Sequence, residues 1–262
     1  MLENQAIKSM LNRKSIRRYT NEMPGDEVIE TVVRAGQQAP FASQLASLLL
    51  RRDIQNNTFN APLLFTICVD VYKWELIMQR RKWEMVANDS LLMLLGMQDA
   101  ALMAENMVMA AESLGMGSCF LGNAPYRSSQ IIAEYKLPKR VFPMVQLTMG
   151  YPDEDPPPRP RYPMEFVLFE DQYPHLEEEL IQASMDQMDQ GYLAQDYYRY
   201  NKAMIPIKID REETFTLENY SWTEHICRKW GQWIFPDNLL EQFEKCGFQI
   251  GSPTSHPEGN SG

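Results

Sequence analysis

The sequence predicts an α+β sandwich. Two observations carry that fold class: short β-prone apolar runs alternate with helical stretches, and one helix near the middle is apolar on almost every face. A third bounds it. The 262 residues are 44% hydrophobic and 23% charged, an ordinary globular composition that excludes a disordered or collagen-like chain.

The elements follow in order. Over 3–12, Ile7, Met10 and Leu11 recur at helical spacing and predict a short amphipathic helix. After Pro24 and Gly25, Asp26 is expected to cap a second helix that turns Val28, Ile29, Val32 and Val33 inward. Residues 46–50 and 63–71 read as buried strands. Over 99–114, Leu102, Met103, Met107, Ala110, Ala111 and Leu114 form the central helix, which Gly115 ends with a left-handed cap. Its methionines read as core, and its polar Glu105 and Asn106 as partners for a neighbouring backbone or a dimer contact. A strand over 118–121, a helix over 128–135 and a strand over 144–149 come next. Pro152, Pro156, Pro157, Pro158, Pro160 and Pro163 then force an extended path. That path is either a flexible linker or a rigid arm presenting Arg159 and Arg161 on one side. Residues 176–200 and 222–246 are helical by pattern, separated by a polar stretch around 209–219. The expected organisation is a core over 1–169, a helical excursion over 170–248 and a disordered tail over 249–262.

Lys and Arg number 25 against 35 for Asp and Glu, a net charge of -10 that disfavours nucleic acid as a partner. Positive charge gathers at Arg13, Lys14, Arg17 and Arg18, and again at Arg159 and Arg161. Such clusters suit a small anionic ligand, a solvated positive face being the plainer alternative. Cys68, Cys119, Cys227 and Cys246 are widely spaced and read as thiols in a reducing compartment. They show no metal-ligand spacing with His175, His225 or His256. The longest apolar candidate, 91–116, is interrupted by Gln98, Asp99, Glu105, Asn106 and Glu112, and the N-terminus lacks a secretory pattern. A cytoplasmic protein with no membrane partner and no metal is the expectation.

Arg13, Ser15 and Arg17 form an R-x-S-x-R unit. In extended chain they share one face, where two guanidinium forks flanking a hydroxyl suit a phosphate monoester. With three further pieces this unit resembles the nitroreductase superfamily of FMN-dependent NAD(P)H oxidoreductases. The four are residues 13–19 (Arg-Lys-Ser-Ile-Arg-Arg-Tyr), the helix from Asp99 through Gly117, the turn Cys119-Phe120-Leu121-Gly122-Asn123, and Met149-Gly150-Tyr151-Pro152 leading to Arg159-Pro160-Arg161. The chain looks most like the NADPH flavin reductase and oxygen-insensitive nitroreductase branch, whose C-terminal helical excursion carries a stretch similar to Ser221-Trp222-Thr223-Glu224-His225-Ile226.

The resemblance implies a central antiparallel sheet flanked by helices, and a homodimer with FMN between subunits. It implies that Arg13, Ser15, Arg159 and Arg161 bind the FMN phosphate, that Lys14 touches phosphate or the flavin edge, and that Arg17 is the cation beside N1 and the C2 carbonyl. Phe120, Leu121, Gly122 and Asn123 match the turn over the flavin, and Ser43 and Gln44 are the donors and acceptors in the stretch facing the pyrimidine ring. That stretch is thin in Ser, Thr and Asn, and residues 52–62 lack the helix usual at that point. Arg199 and Lys202 flank the position expected to grip the NADPH 2′-phosphate, or are ordinary surface charges. No side chain is needed as nucleophile or base. The resemblance implies that hydride passes from NAD(P)H through flavin N5 to a small flat acceptor (nitroaromatic, quinone or flavin) in ping-pong fashion. The alternatives are another flavin reaction on this fold, or a flavin store or redox sensor without turnover.

Overall fold

The fold was analysed in a computed structural model, which describes residues 2, 4–232 and 238–251. The described residues divide into two units, one running to residue 156 and including 238–251, the other spanning 157–232.

The first unit contains helices α1 (Gln5–Asn12), α2 (Asp26–Gln37), α3 (Tyr72–Arg80), α4 (Asp89–Ser113), α5 (Ser128–Tyr135) and α9 (Leu239–Lys245), with strands β1 (Ala46–Arg51), β2 (Leu63–Asp70), β3 (Gly117–Leu121) and β4 (Val141–Gly150). The strands form one antiparallel sheet in the order β1-β2-β4-β3. β2 lies between two neighbours and is buried at every residue, which explains an apolar run broken only by Thr66 before Asp70 ends it. β4 carries Pro143 and skips Met144 in its register with β2, where Ile67 faces Val145 and Cys68 faces Pro143. A bulge accommodates a residue that cannot donate to the ladder, so the strand begins three residues before the expected Met144.

α2 and α4 cover the sheet through Ile29, Val32, Ala104, Met107, Val108 and Ala111, packed on Phe65, Ile67, Leu147 and Met149. Phe243, Cys246 and Phe248 pack with Phe142, Val69 and Leu92 in a second cluster. α9 thus belongs to the first unit, and the expected excursion over 170–248 is corrected at both ends: the second unit begins at Pro157 and the chain returns to the first by 238. Residues 249–251 are described, with the Gln249 N–H donating to Asp89 Oδ2 at 2.7 Å; the rest of the expected tail, 252–262, and the 233–237 part of the expected second helix lie outside the described residues.

α4 begins at Asp89, ten residues before the expected start, with the Asn88 side chain accepting from Ser90 N–H at 2.7 Å. It is long and apolar enough to cross a membrane by length and composition, but one face is core. Gly115 follows at φ +78°, as expected. Asp26 does not cap α2: Gly25 holds that position, and Asp26 stands in the first turn and pairs with Arg52. Asn106 donates to the Ala35 carbonyl at 3.1 Å, one of its two expected uses. Residues 52–62 form a tight loop with no α-helix and one short 3-10 turn at Thr58–Asn60, closed by buried Asn57, which accepts from Arg51 Nε at 2.7 Å and donates to Ala61 O at 2.9 Å.

The second unit contains α6 (Glu178–Ala194), α7 (Tyr197–Asn201) and α8 (Trp222–Gly231). Its core is aromatic, with Tyr192, Tyr198 and Tyr220 buried beside Tyr162, Phe215 and Trp222.

Candidate functional site

Three segments carry the expected site residues, and each is held by partners outside it. Residues 15–20 run beside the free edge of β3 and the end of β4. Ser15 bridges Ser118, Ile16 N–H donates to Ser118 O at 2.9 Å, and Thr20 N–H donates to Tyr151 O at 2.9 Å. Ile16 is the buried anchor. Gly117 is required for this closeness, since a Cβ there would lie 2.4 Å from Ile16 Cγ1. Buried Tyr19 donates to Ile16 O at 2.6 Å and lies 2.9 Å from Thr148 Oγ1; burial raises its hydroxyl pKa. Glu154 accepts from the N–H groups of Arg17 (2.5 Å) and Arg18 (3.0 Å), fixing the turn of the segment.

Arg13 lies over the Phe120 ring, 5.9 Å from its centroid, which unites two expected flavin residues. Lys14 pairs with Asp155 and lines an open pocket of about 420 Å³ with Ile16, Glu112 and Glu154. Both Arg13 and Lys14 act on the Glu112 carboxylate. Arg17 is exposed. Burial raises the Glu112 carboxyl pKa, opposed by nearby Arg13. Leu121 ends β3, and Gly122 and Asn123 form the following turn. A Cβ at Gly122 would meet nothing within 4 Å, so the chain leaves open the space over which a planar group was expected to lie.

The second segment is the stretch 38–45. Pro40, Phe41 and Gln44 line a pocket of about 120 Å³ with Gly36, Lys73, Asp99 and Met103. Ser43 has its main chain bonded on both sides and does not line this pocket. Asp99, Trp74, Lys73 and Glu154 were missed as site-building residues. Only Asp99 left a signal, as a carboxylate interrupting an apolar helix.

The third segment is the proline-rich stretch. Within the first unit, Asp153 N–H donates to Arg18 O at 2.9 Å. Within the second, Gln195 donates to Pro158 O at 2.8 Å, Gln187 donates to Arg161 O at 2.9 Å, and Pro160 seats against Gly191. Arg159 stacks on Tyr197 at 4.1 Å and donates to Gln195 Oε1 at 2.7 Å; Arg161 Nη1 turns back to the carbonyls of Arg159 and Pro160. Arg199 directs Nε (2.9 Å) and Nη2 (2.6 Å) to Asp196 Oδ2, and Lys202 stands at the end of α7 with φ +48°. Trp222 and His225 are packing residues. His225 Nδ1 lies 3.1 Å from the Tyr220 hydroxyl, and burial lowers its pKa.

The family model of the nitroreductase family matches residues 50–151. A chromate, Cr(VI), reductase of Pseudomonas sp. (strain G-1) is 30% identical over 202 residues, covering 71% of this chain and 83% of the relative. An FMN reductase (NADPH) of Bacillus subtilis is 27% identical over 213 residues, 75% of this chain and 84% of the relative. The solved structure of B. megaterium NfrA2 superposes with a TM-score of 0.81 at 24% identity, covering 95% of this chain and all of that one, and shares the fold.

Proposed function

Because the chain belongs to the nitroreductase family, we propose that it is an FMN-dependent oxidoreductase that takes reducing equivalents from NAD(P)H and delivers them to a small flat acceptor. The observation that carries this reading is the segment 13–17 laid along β3, which gathers Arg13, Ser15 and Phe120 beside the open space at Gly122. That donor set fits FMN: a guanidinium fork and a hydroxyl for a phosphate monoester, and an uncovered turn for a planar ring. Bound FMN supplies two-electron chemistry that no protein side chain offers. The chain's residues bind and orient it. Arg13 and Ser15 take the phosphate, and Arg17 offsets the negative charge that reduction leaves on the ring. Nitroaromatics, quinones and free flavins are the acceptor class, met in alternation with the nicotinamide.

A homodimer with the site shared between copies belongs to the same reading. Asp99 holds the 42–45 stretch, whereas Arg13 neighbours Glu112 near the end of α4. At roughly 1.5 Å per residue those points are about 20 Å apart along the helix. A two-fold axis that sets two α4 helices antiparallel brings one copy's Asp99 level with the other's Glu112. Apolar Leu91, Leu94 and Leu102, between 43% and 56% exposed on α4, support such a contact. Buried free Cys68, Cys119 and Cys246 suit a reducing, cytoplasmic compartment.

The test is to purify the protein, reconstitute it with FMN and mix it anaerobically with NADH or NADPH. Retained FMN whose yellow colour bleaches within a turnover is the expected result. Failure to take up flavin overturns the reading, and flavin uptake without bleaching favours a store or sensor.

A further inference from the structure

The stretch facing the flavin pyrimidine was expected to work through Ser, Thr or Asn side chains, and it has few. Its main chain is instead gripped by two residues from other elements. Buried Asp99 on α4 accepts from Ala42 N–H at 2.6 Å, Ser43 N–H at 3.2 Å and Leu45 N–H at 2.8 Å. From α3, the Trp74 indole N–H donates to the Ser43 carbonyl at 2.6 Å. Ser43 is thus fixed from both sides. Gln44 then sits at φ +53°, in the left-handed region that a Cβ disfavours. A non-glycine residue stays there only when its surroundings over-determine it, and such strain gathers at ligand clamps. Gln44 lines the 120 Å³ pocket with Phe41 and Lys73.

We propose that Asp99 and Trp74 are positioning residues: they brace the 41–45 loop so that the Gln44 amide is presented, in its strained conformation, to the polar edge of the bound flavin. An amide suits that edge because it offers a donor and an acceptor side by side, as the pyrimidine ring does. Ser43, with its main chain consumed by the brace, serves the loop rather than the ligand. The inference rests on the FMN reading above.

Two variants separate this from a merely structural loop anchor. Gln44→Gly keeps the brace and removes both the strain and the amide. Trp74→Phe removes one donor and keeps an aromatic ring. FMN binding is measured by quenching of flavin fluorescence, and the melting temperature on the apoprotein. Gln44→Gly is expected to raise the melting temperature yet weaken FMN by about fivefold to tenfold, the scale of one hydrogen bond. Trp74→Phe is expected to weaken FMN by a similar factor. Unchanged FMN affinity in both variants, with wild type binding normally, overturns this proposal alone. Wild-type protein that takes up no FMN overturns it together with the function on which it rests.

Discussion

Arg13 and Arg159 each lie over an aromatic ring, Arg13 at 5.9 Å from the Phe120 centroid and Arg159 at 4.1 Å from that of Tyr197. A guanidinium over a ring keeps N–H groups free for an anion in a fork that lysine does not reproduce. Arg13→Ala should therefore weaken FMN by about 1.5 to 3 kcal/mol, the range for a hydrogen bond to a charged group. Titration of apoprotein with FMN checks this, and unchanged affinity removes that residue from the phosphate grip. The nicotinamide side is less favourable, because Asp196 already occupies Arg199. If Arg199 and Lys202 read the 2′-phosphate, replacing both by Ala raises KM for NADPH and leaves KM for NADH unchanged. Equal changes exclude them. Charge of this kind was legible in the sequence as clusters. Which partner each side chain meets was not legible there, as the pairing of Lys14 with Asp155 shows. Asp99 and Glu154 were hidden because they act on backbone N–H groups far away in sequence.

The elements show where local pattern suffices. β2 was readable because burial along its whole length leaves a nearly unbroken apolar record, and the latter part of α4 because it is apolar on its core face and on part of its exposed one. α3 was not read: it has no side-chain cap and follows β2 at once. Electrostatics also act at this scale in the second unit. Arg228 on α8 is buried and donates to Glu213 at 2.6 Å, Glu224 at 2.7 Å and the Ile205 carbonyl at 2.8 Å. Hydrogen bonding to Arg228 lowers the Glu213 pKa from 4.5 to about 2. A depressed carboxyl contributes stability above its unfolded pKa and loses it on acidification, here between about pH 4.5 and 2. Near-UV circular dichroism, which senses the neighbouring tyrosines and Trp222, should follow that loss, and Glu213→Gln should remove its pH dependence. An identical acid profile in the variant means the pair contributes nothing. Gly117→Ala acts on an element too. The added methyl group displaces Ile16 and with it residues 13–17, so stability should fall by about 1 to 3 kcal/mol and FMN affinity with it. Lower stability with full affinity shows that the phosphate grip does not depend on this seat.

At the scale of the whole molecule, the face of α4 that bears Leu91, Leu94 and Leu102 is the unexplained surface of the first unit, and Met10 and Leu11 on α1 are more than half exposed as well. The sequence showed this helix as apolar nearly all round. It could not show which part the sheet and α2 would cover, since that depends on packing between distant segments. A shared site makes one strong prediction. Charge can be placed on the exposed stripe at its most accessible leucine, as in Leu94→Glu combined with Leu102→Glu, at residues 56% and 43% exposed within the chain. The double substitution buries unpaired carboxylates if a second copy docks there, which costs several kcal/mol. Sedimentation velocity should find the wild type at twice the 30.5 kDa chain mass and the variant at that mass. FMN affinity should be lost in the same step, because the Arg13 end and the Gln44 loop of a single chain are about 20 Å apart along α4 and only a second copy brings the complementary end to each. A monomeric variant that binds FMN as tightly as wild type places the whole site within one chain, and a variant that stays dimeric with full affinity moves the interface to another face.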